Sequence, residues 1–274
     1  GIIDGIRCST RPDAVDDEAI TLLQSYGVKT VELGVQSMND GILLDAKRGH
    51  TAQEVVEAVA RLKQHGMTVG VQLLPGLKGE TWESILETAI AVVKLKPDFV
   101  RIYPVLVIEN TELADQYRAG EYEPLSTEQA ITYCAFLKDW FERHNIEVIR
   151  TGLQSTEELD SGNSLVAGPY EPAMGELVVN EQYKQRIERC INEHIESFID
   201  KELSQWNIWG EVNTFAALNI SIFYPRSLTS KVRGLKNRNM LYFQEKYPHI
   251  NINWYEDSTR NTVRCCIDGL QYVL

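Results

Sequence analysis

Val31–Thr51, VELGVQSMNDGILLDAKRGHT, decides the fold when it is set beside Val69–Thr81, VGVQLLPGLKGET. Each is a short β-branched run that ends near a glutamine and breaks into a loop before a helix. Alternation puts Val31, Leu33 and Val35 on one strand face and Glu32, Gly34 and Gln36 on the other. In the second run Val69, Val71 and Leu73 oppose Gly70, Gln72 and Leu74. Buried parallel strands normally read as unbroken apolar runs. An inward Gln36 and Gln72 therefore require a partner or a ligand. Two strands with a polar, glycine-thinned face predict a lumen that admits a small molecule.

Working outward, strands are expected at Ile2–Cys8, Val28–Gln36, Thr68–Leu74, Phe99–Val105 and Ile146–Thr151. Helices are expected between them, at about Asp16–Tyr26, from Thr51 to Gly66, Thr81–Lys96, Glu112–Arg118 and from Ser126 to His144. Thr51 with Glu54 and Ser126 with Gln129 form capping boxes. Val55, Val56, Val59 and Leu62 make the apolar face of the helix after Thr51. This alternation is the signature of an α/β fold with a parallel sheet, a partial (β/α) barrel short of eight strands. Residues 152–179 predict a long connection in which Glu157, Glu158 and Asp160 are solvated. A helix over Glu181–Leu203, with Ile187, Ile191, Ile195 and Phe198 on one stripe, opens a small C-terminal α+β module. The domains expected are residues 1–180 and 181–274. In the second, Leu218–Tyr224 predicts a strand, Thr229–Tyr247 a helix, and His249–Tyr255 with Thr262–Ile267 a hairpin turning at 257–261.

The 274 residues carry a net charge of −12, which excludes general affinity for nucleic acid or anionic membranes over most of the surface. The exception is Ser204–Asn251, where six basic residues face only Glu211 and Glu245. Five cysteines without a ligand-spaced motif predict a reducing, cytoplasmic setting and no metal site in this stretch. No apolar run reaches membrane-spanning length.

Barrel chemistry collects at the carboxyl ends of the strands. The candidates there are Arg7, Ser9, Arg11, Glu32, Gln36, Gln72, Leu74, Arg101, Tyr103 and Arg150. Arg48 and His50, ahead of a helix start, fit an anion contact and a base, or equally a solvated arginine and a structural histidine. Pro75–Gly79 lacks the lysine of a phosphate loop and fits a tight turn. Lys231, Arg233, Lys236 and Arg238 fall within eight residues; they fit an RNA contact or a solvated helix face.

Several of these segments, taken in order, resemble the radical S-adenosylmethionine (SAM) superfamily, in its Elongator catalytic subunit-like branch. They are Arg11-Pro12-Asp13, Glu32-Leu33-Gly34-Val35-Gln36-Ser37, Arg48-Gly49-His50-Thr51, Leu74-Pro75-Gly76-Leu77, Ile102-Tyr103-Pro104, Ala167-Gly168-Pro169 and Gly175-Glu176-Leu177. Oxygen-independent coproporphyrinogen oxidases share the pattern more distantly. The resemblance implies a barrel of about six strands, SAM, and a four-iron, four-sulfur cluster held by Cys-x3-Cys-x2-Cys. An electron donor cleaves SAM to a 5′-deoxyadenosyl radical. It assigns Gln36 and Gln72 to the cofactor's ribose and Arg48 to its carboxylate, with Leu74 beside them. Glu32, Arg101 and Tyr103 are then substrate contacts, and transfer RNA is an implied substrate touched by Lys231, Arg233, Lys236 and Arg238.

No Cys-x3-Cys-x2-Cys occurs in the 274 residues. The expectation is a fragment without its first strands, inactive alone, binding neither cluster nor SAM, and self-associating through an uncovered sheet edge. A metal-free β/α-barrel lyase or isomerase using Glu32, Arg101 and Tyr103 remains compatible with the residues, as does an RNA- or partner-binding module.

Overall fold

The computed structural model describes residues 4–154, 156–160, 162, 164–204 and 218–274, without the side chains of 158, 160 and 198–204. The expectations at Ile2, Glu158, Asp160, Phe198 and Leu203 therefore lie outside the described side chains. Two compact units are present, Gly1–Gly175 and Glu176–Leu274.

In the first unit, β1 (Ile6–Thr10) leads to α1 (Asp17–Ser25), whose start is capped by Asp16 accepting from Ala19 N at 2.7 Å. β2 (Val28–Gln36) is followed by α2 (Asp40–Asp45), capped by Asn39, and α3 (Ala52–Gln64). The Thr51–Glu54 capping box forms as expected, but Val56 is 39% exposed and Ala58 takes its place on the buried face. The helical period explains this: position 58 completes the 55-59-62 stripe, and position 56 does not. β3 (Thr68–Leu73) and α4 (Trp82–Leu95) follow, and the chain leaves α4 through Lys96 in a left-handed conformation before Pro97. β4 (Phe99–Ile102) ends three residues earlier than expected, because Pro104 cannot donate to a ladder. β5 (Val107–Ile108), α5 (Glu112–Arg118), α6 (Thr127–Arg143, with its Ser126–Gln129 box) and β6 (Glu147–Thr151) complete the alternation.

The sheet has the order β1-β2-β3-β4-β6, with every neighbouring pair parallel. All five carboxyl ends therefore lie along one edge. The segment expected to be a plain connection carries α7 (Glu157–Asp160) and β7 (Leu165–Ala167), which pairs antiparallel with β5. It ends at α8 (Met174–Ser204), seven residues before the expected helix start.

In the second unit, α8 packs Ile187 and Ile191 into a core with Ile220, Ile222, Tyr224 and Phe243. The chain runs β8 (Asn219–Tyr224), α9 (Thr229–Arg233), α10 (Arg238–Lys246), β9 (Asn251–Glu256), β10 (Arg264–Ile267) and β11 (Leu270–Val273). The order is β11-β10-β8-β9, with β8 and β9 parallel. This overturns the expected hairpin of 249–255 with 262–267: β8 lies between those two strands. The hairpin is β10–β11, closed at Asp268-Gly269, both with positive φ. Cys134 in the first unit and Cys265 in the second have no exposed surface, and burial raises both thiols, Cys265 to about 12.

Candidate functional site

Glu32 is the charged centre of the sheet's inner face, 2% exposed on β2. Its register neighbours are Ser9 on β1 and Gly70 on β3. Arg7 Nη1 reaches Glu32 Oε1 at 3.1 Å, and Arg101 Nε reaches Oε2 at 3.2 Å. Gln72 Nε2 donates to Oε2 at 3.0 Å, and Arg101 Nη1 donates to the Tyr103 hydroxyl at 3.0 Å. Two cations offset the cost of burying this carboxylate. Gln72 is thus engaged by Glu32, and the partner that its polarity demanded lies within the protein.

Gly70 leaves room for a ring and not for a lumen. A Cβ there would lie 2.2 Å from Phe99 Cε2, so the Phe99 ring fills the space over β3. Arg7 stacks on the same ring, with Cζ 4.8 Å from its centroid. The small-molecule lumen expected from the glycine-thinned face is therefore closed at this depth. Arg150, beside Arg101 in register on β6, turns to Gln154 Oε1 at 3.1 Å.

One layer nearer the carboxyl ends the polar groups are not all satisfied. Gln36 takes φ 69 at the centre of a three-residue turn, closed by Ser37 N donating to Val35 O at 2.9 Å. A side chain other than glycine pays for this conformation, and such strain concentrates at functional sites. Leu74 N donates to Gln36 O at 3.0 Å, which ties the end of β3 to the same turn. Asn39, Asp40 and Thr51 pin the loop between α2 and α3: Asn39 caps α2, Asp40 Oδ1 accepts from Ala52 N at 2.7 Å, and Thr51 caps α3. Arg48 N donates to Leu43 O at 3.0 Å, and His50 Nε2 lies 3.2 Å from Val35 O, so this buried histidine fastens the loop to β2.

These constraints bring Gln36 and Arg48 together. A Cβ on Gly34 would meet Gln36 Nε2 at 2.8 Å and Arg48 Nη2 at 3.6 Å. Gln36 Oε1 and Arg48 Nε are both buried without a hydrogen-bond partner. Arg48 makes no ion pair among the described residues, and its guanidinium is held below the usual arginine range by burial, then by nearby Arg11. Arg11 is itself paired with Asp13, at 2.5 Å. A desolvated guanidinium beside a second cation and an unpartnered amide oxygen is suited to a small ligand with a carboxylate and a hydroxyl.

The loop after β3 is occupied. Glu80 Oε2 accepts from Gly76 N at 2.5 Å, and Tyr122 OH donates to Gly76 O at 2.6 Å. Burial raises the Glu80 carboxyl to about 7 and the Tyr122 phenol to about 12. This loop is a turn closed on its own acid, and sequence reasoning missed Glu80 because nothing local shows that its carboxylate folds inward.

In the second unit Lys231, Lys236 and Arg238 are exposed and form no ion pair among the described residues. Arg233 departs from the expected cluster: it is half-buried, with Nε on the Tyr224 hydroxyl at 2.5 Å and Cζ 5.5 Å from that ring. Among the described residues no group of three His, Cys, Asp or Glu could hold a metal.

Comparison with known proteins bears on the family and the fold. Residues 2–91 match the Radical SAM superfamily and residues 97–185 the Radical_SAM C-terminal domain. The tRNA uridine(34) acetyltransferase of Methanocaldococcus jannaschii is 34% identical over 186 residues, which are 66% of this chain and 33% of that protein. Elongator complex protein 3 of Homo sapiens is 30% identical over 134 residues, 48% of this chain and 24% of that protein. The structure of Methanocaldococcus infernus Elp3 with an N-terminal deletion superposes with a TM-score of 0.58 at 32% identity, covering 66% of this chain and 42% of that one. The chain spans about a third of the length of the first of these relatives. On its residues 2–91 and 97–185, with Elongator protein 3 among the relatives, this chain belongs to the radical SAM superfamily.

Proposed function

We propose that Gly1–Gly175 carries the SAM-binding edge of a radical SAM enzyme that acts on transfer RNA. The observation that carries it is the pair of buried, unpartnered polar atoms, Gln36 Oε1 and Arg48 Nε, on two side chains that both approach Gly34 near the end of β2. They fit SAM: Arg48 holds the methionine carboxylate, Gln36 accepts from a ribose hydroxyl, and Leu74 borders both. The Glu32–Arg7–Arg101–Gln72 layer lies beneath, and Arg101 holds the hydroxyl of Tyr103 as a substrate contact. When bound to its cluster, SAM supplies a 5′-deoxyadenosyl radical. The residues described do not fit the four-iron cluster, since no cysteine trio is present among them. The transfer RNA part rests on the archaeal relatives, which are tRNA uridine(34) acetyltransferases, and on the exposed cations of the second unit.

Calorimetric titration of SAM into the chain supplied with a cluster-binding segment and its cluster tests the site. In that restored protein Gln36→Ala, which removes one ligand hydrogen bond, is expected to weaken binding by about 1–3 kcal/mol. Equal heats from the wild type and from both Gln36→Ala and Arg48→Ala overturn the assignment.

A further inference from the structure

We infer that the second unit is a single-stranded RNA clamp, with the backbone held at the α9–α10 loop and the bases laid along the groove between α10 and β9. The inference deepens the transfer RNA reading above and rests on it for the choice of RNA.

The order β8-α9-loop-α10-β9 places two short helices between two parallel, adjacent strands. RNA-binding KH modules use a glycine-led loop to clamp about four nucleotides of backbone. Here the loop is Gly234-Leu235-Lys236-Asn237. Gly234 has φ 76 and a Cβ there would meet Asn239 Oδ1 at 2.9 Å, so glycine is required on both counts. Asn237, at φ 61, stands where KH loops have a second glycine; asparagine is among the residues that tolerate this region. Two buried asparagines brace the loop from within the unit. Asn239 Nδ2 donates to Asn180 O at 2.8 Å and to Val232 O at 3.1 Å. Asn180, with its amide oriented to satisfy its neighbours, accepts from Leu235 N at 3.1 Å.

Two independent observations say what the braced loop faces. Lys231, Lys236 and Arg238 stand around it, exposed and with no ion pair among the described residues, in the most basic segment of an acidic chain. A groove of about 460 Å³ then starts one turn further along α10. Its helix wall is Met240, Gln244 and Tyr247, and its strand wall is Asn251, Ile252 and Trp254 from the edge strand β9. Cations around the loop, and a trough of rings, thioether and amides along the helix that follows it, match a polymer with charged backbone and planar, hydrogen-bonding bases. A duplex, whose bases are stacked inside, has nothing to offer the trough.

Fluorescence anisotropy with the whole chain tests this, using a short labelled single-stranded RNA, the same sequence as a duplex, and a transfer RNA. Leu235 and Lys236 are both exposed, so the double variant Leu235→Asp/Lys236→Asp leaves the core untouched; an unchanged melting temperature verifies the fold. It is expected to weaken single-strand binding at least about tenfold and to lower the salt slope by about 0.7 for each lost phosphate contact. Gln244→Ala/Asn251→Ala is expected to alter preference among homopolymers while leaving the salt slope unchanged. Duplex bound as tightly as single strand, or affinity untouched by the loop variant, overturns the clamp. Transfer RNA bound equally by wild type and loop variant overturns the clamp and leaves the transfer RNA reading standing. No RNA bound by the wild type removes both. The SAM titration is independent of all three.

Discussion

Glu80 closes the loop after β3 with its carboxylate on Gly76 N and out of water, so ionising it is unfavourable in the folded protein. Its native pKa of about 7 stands above the unfolded value of 4.5, so the native state binds more protons between those values. Stability from this group is full below about pH 4.5 and is lost as pH rises through about 7. The shift amounts to about 3 kcal/mol at most. Glu80→Gln is expected to flatten that decline, so that urea midpoints near pH 5 and near pH 8 lie closer together than in the wild type. Identical pH profiles for the two proteins would exclude the buried acid as the cause. At this scale the sequence was partly legible. Gln36 announced itself by interrupting an apolar strand, and it is the residue left with a buried, unpartnered oxygen. Gln72 interrupted its strand in the same way, but its partner is Glu32 across a register that no local pattern encodes.

Among elements, β3 and β4 pack closely where Phe99 covers Gly70. Gly70→Ala pushes a methyl into that ring and is expected to destabilise by about 1–3 kcal/mol, the usual cost of overpacking. Phe99→Leu in the same chain should recover part of the loss; a double-mutant cycle without coupling would place the strain elsewhere. Helix starts were readable because a capping box is local chemistry, as at Thr51–Glu54 and Ser126–Gln129. The order of the second sheet was not. Asp257–Asn261 has the composition of a hairpin turn, yet β8 intervenes between the strands it joins. The true hairpin signal was Asp268-Gly269, whose positive φ values match the favoured two-residue turn.

For the molecule as a whole, one border of the five-stranded sheet is β1, which pairs only with β2 among the described residues and carries Ile6 at 47% exposure. Unpaired strand edges invite association. Sedimentation equilibrium is expected to show apparent mass rising with concentration, and Ile6→Lys should suppress the rise. A wild-type monomer at every concentration would remove the edge as an interface. The cysteines give each unit its own clock. Cys134 and Cys265 are shut inside different units, and both thiols are held in the unreactive protonated form. Neither can be alkylated until its own unit opens. Pulsed labelling of unmodified protein, read by mass at each cysteine, therefore times the opening of the two units separately in one tube.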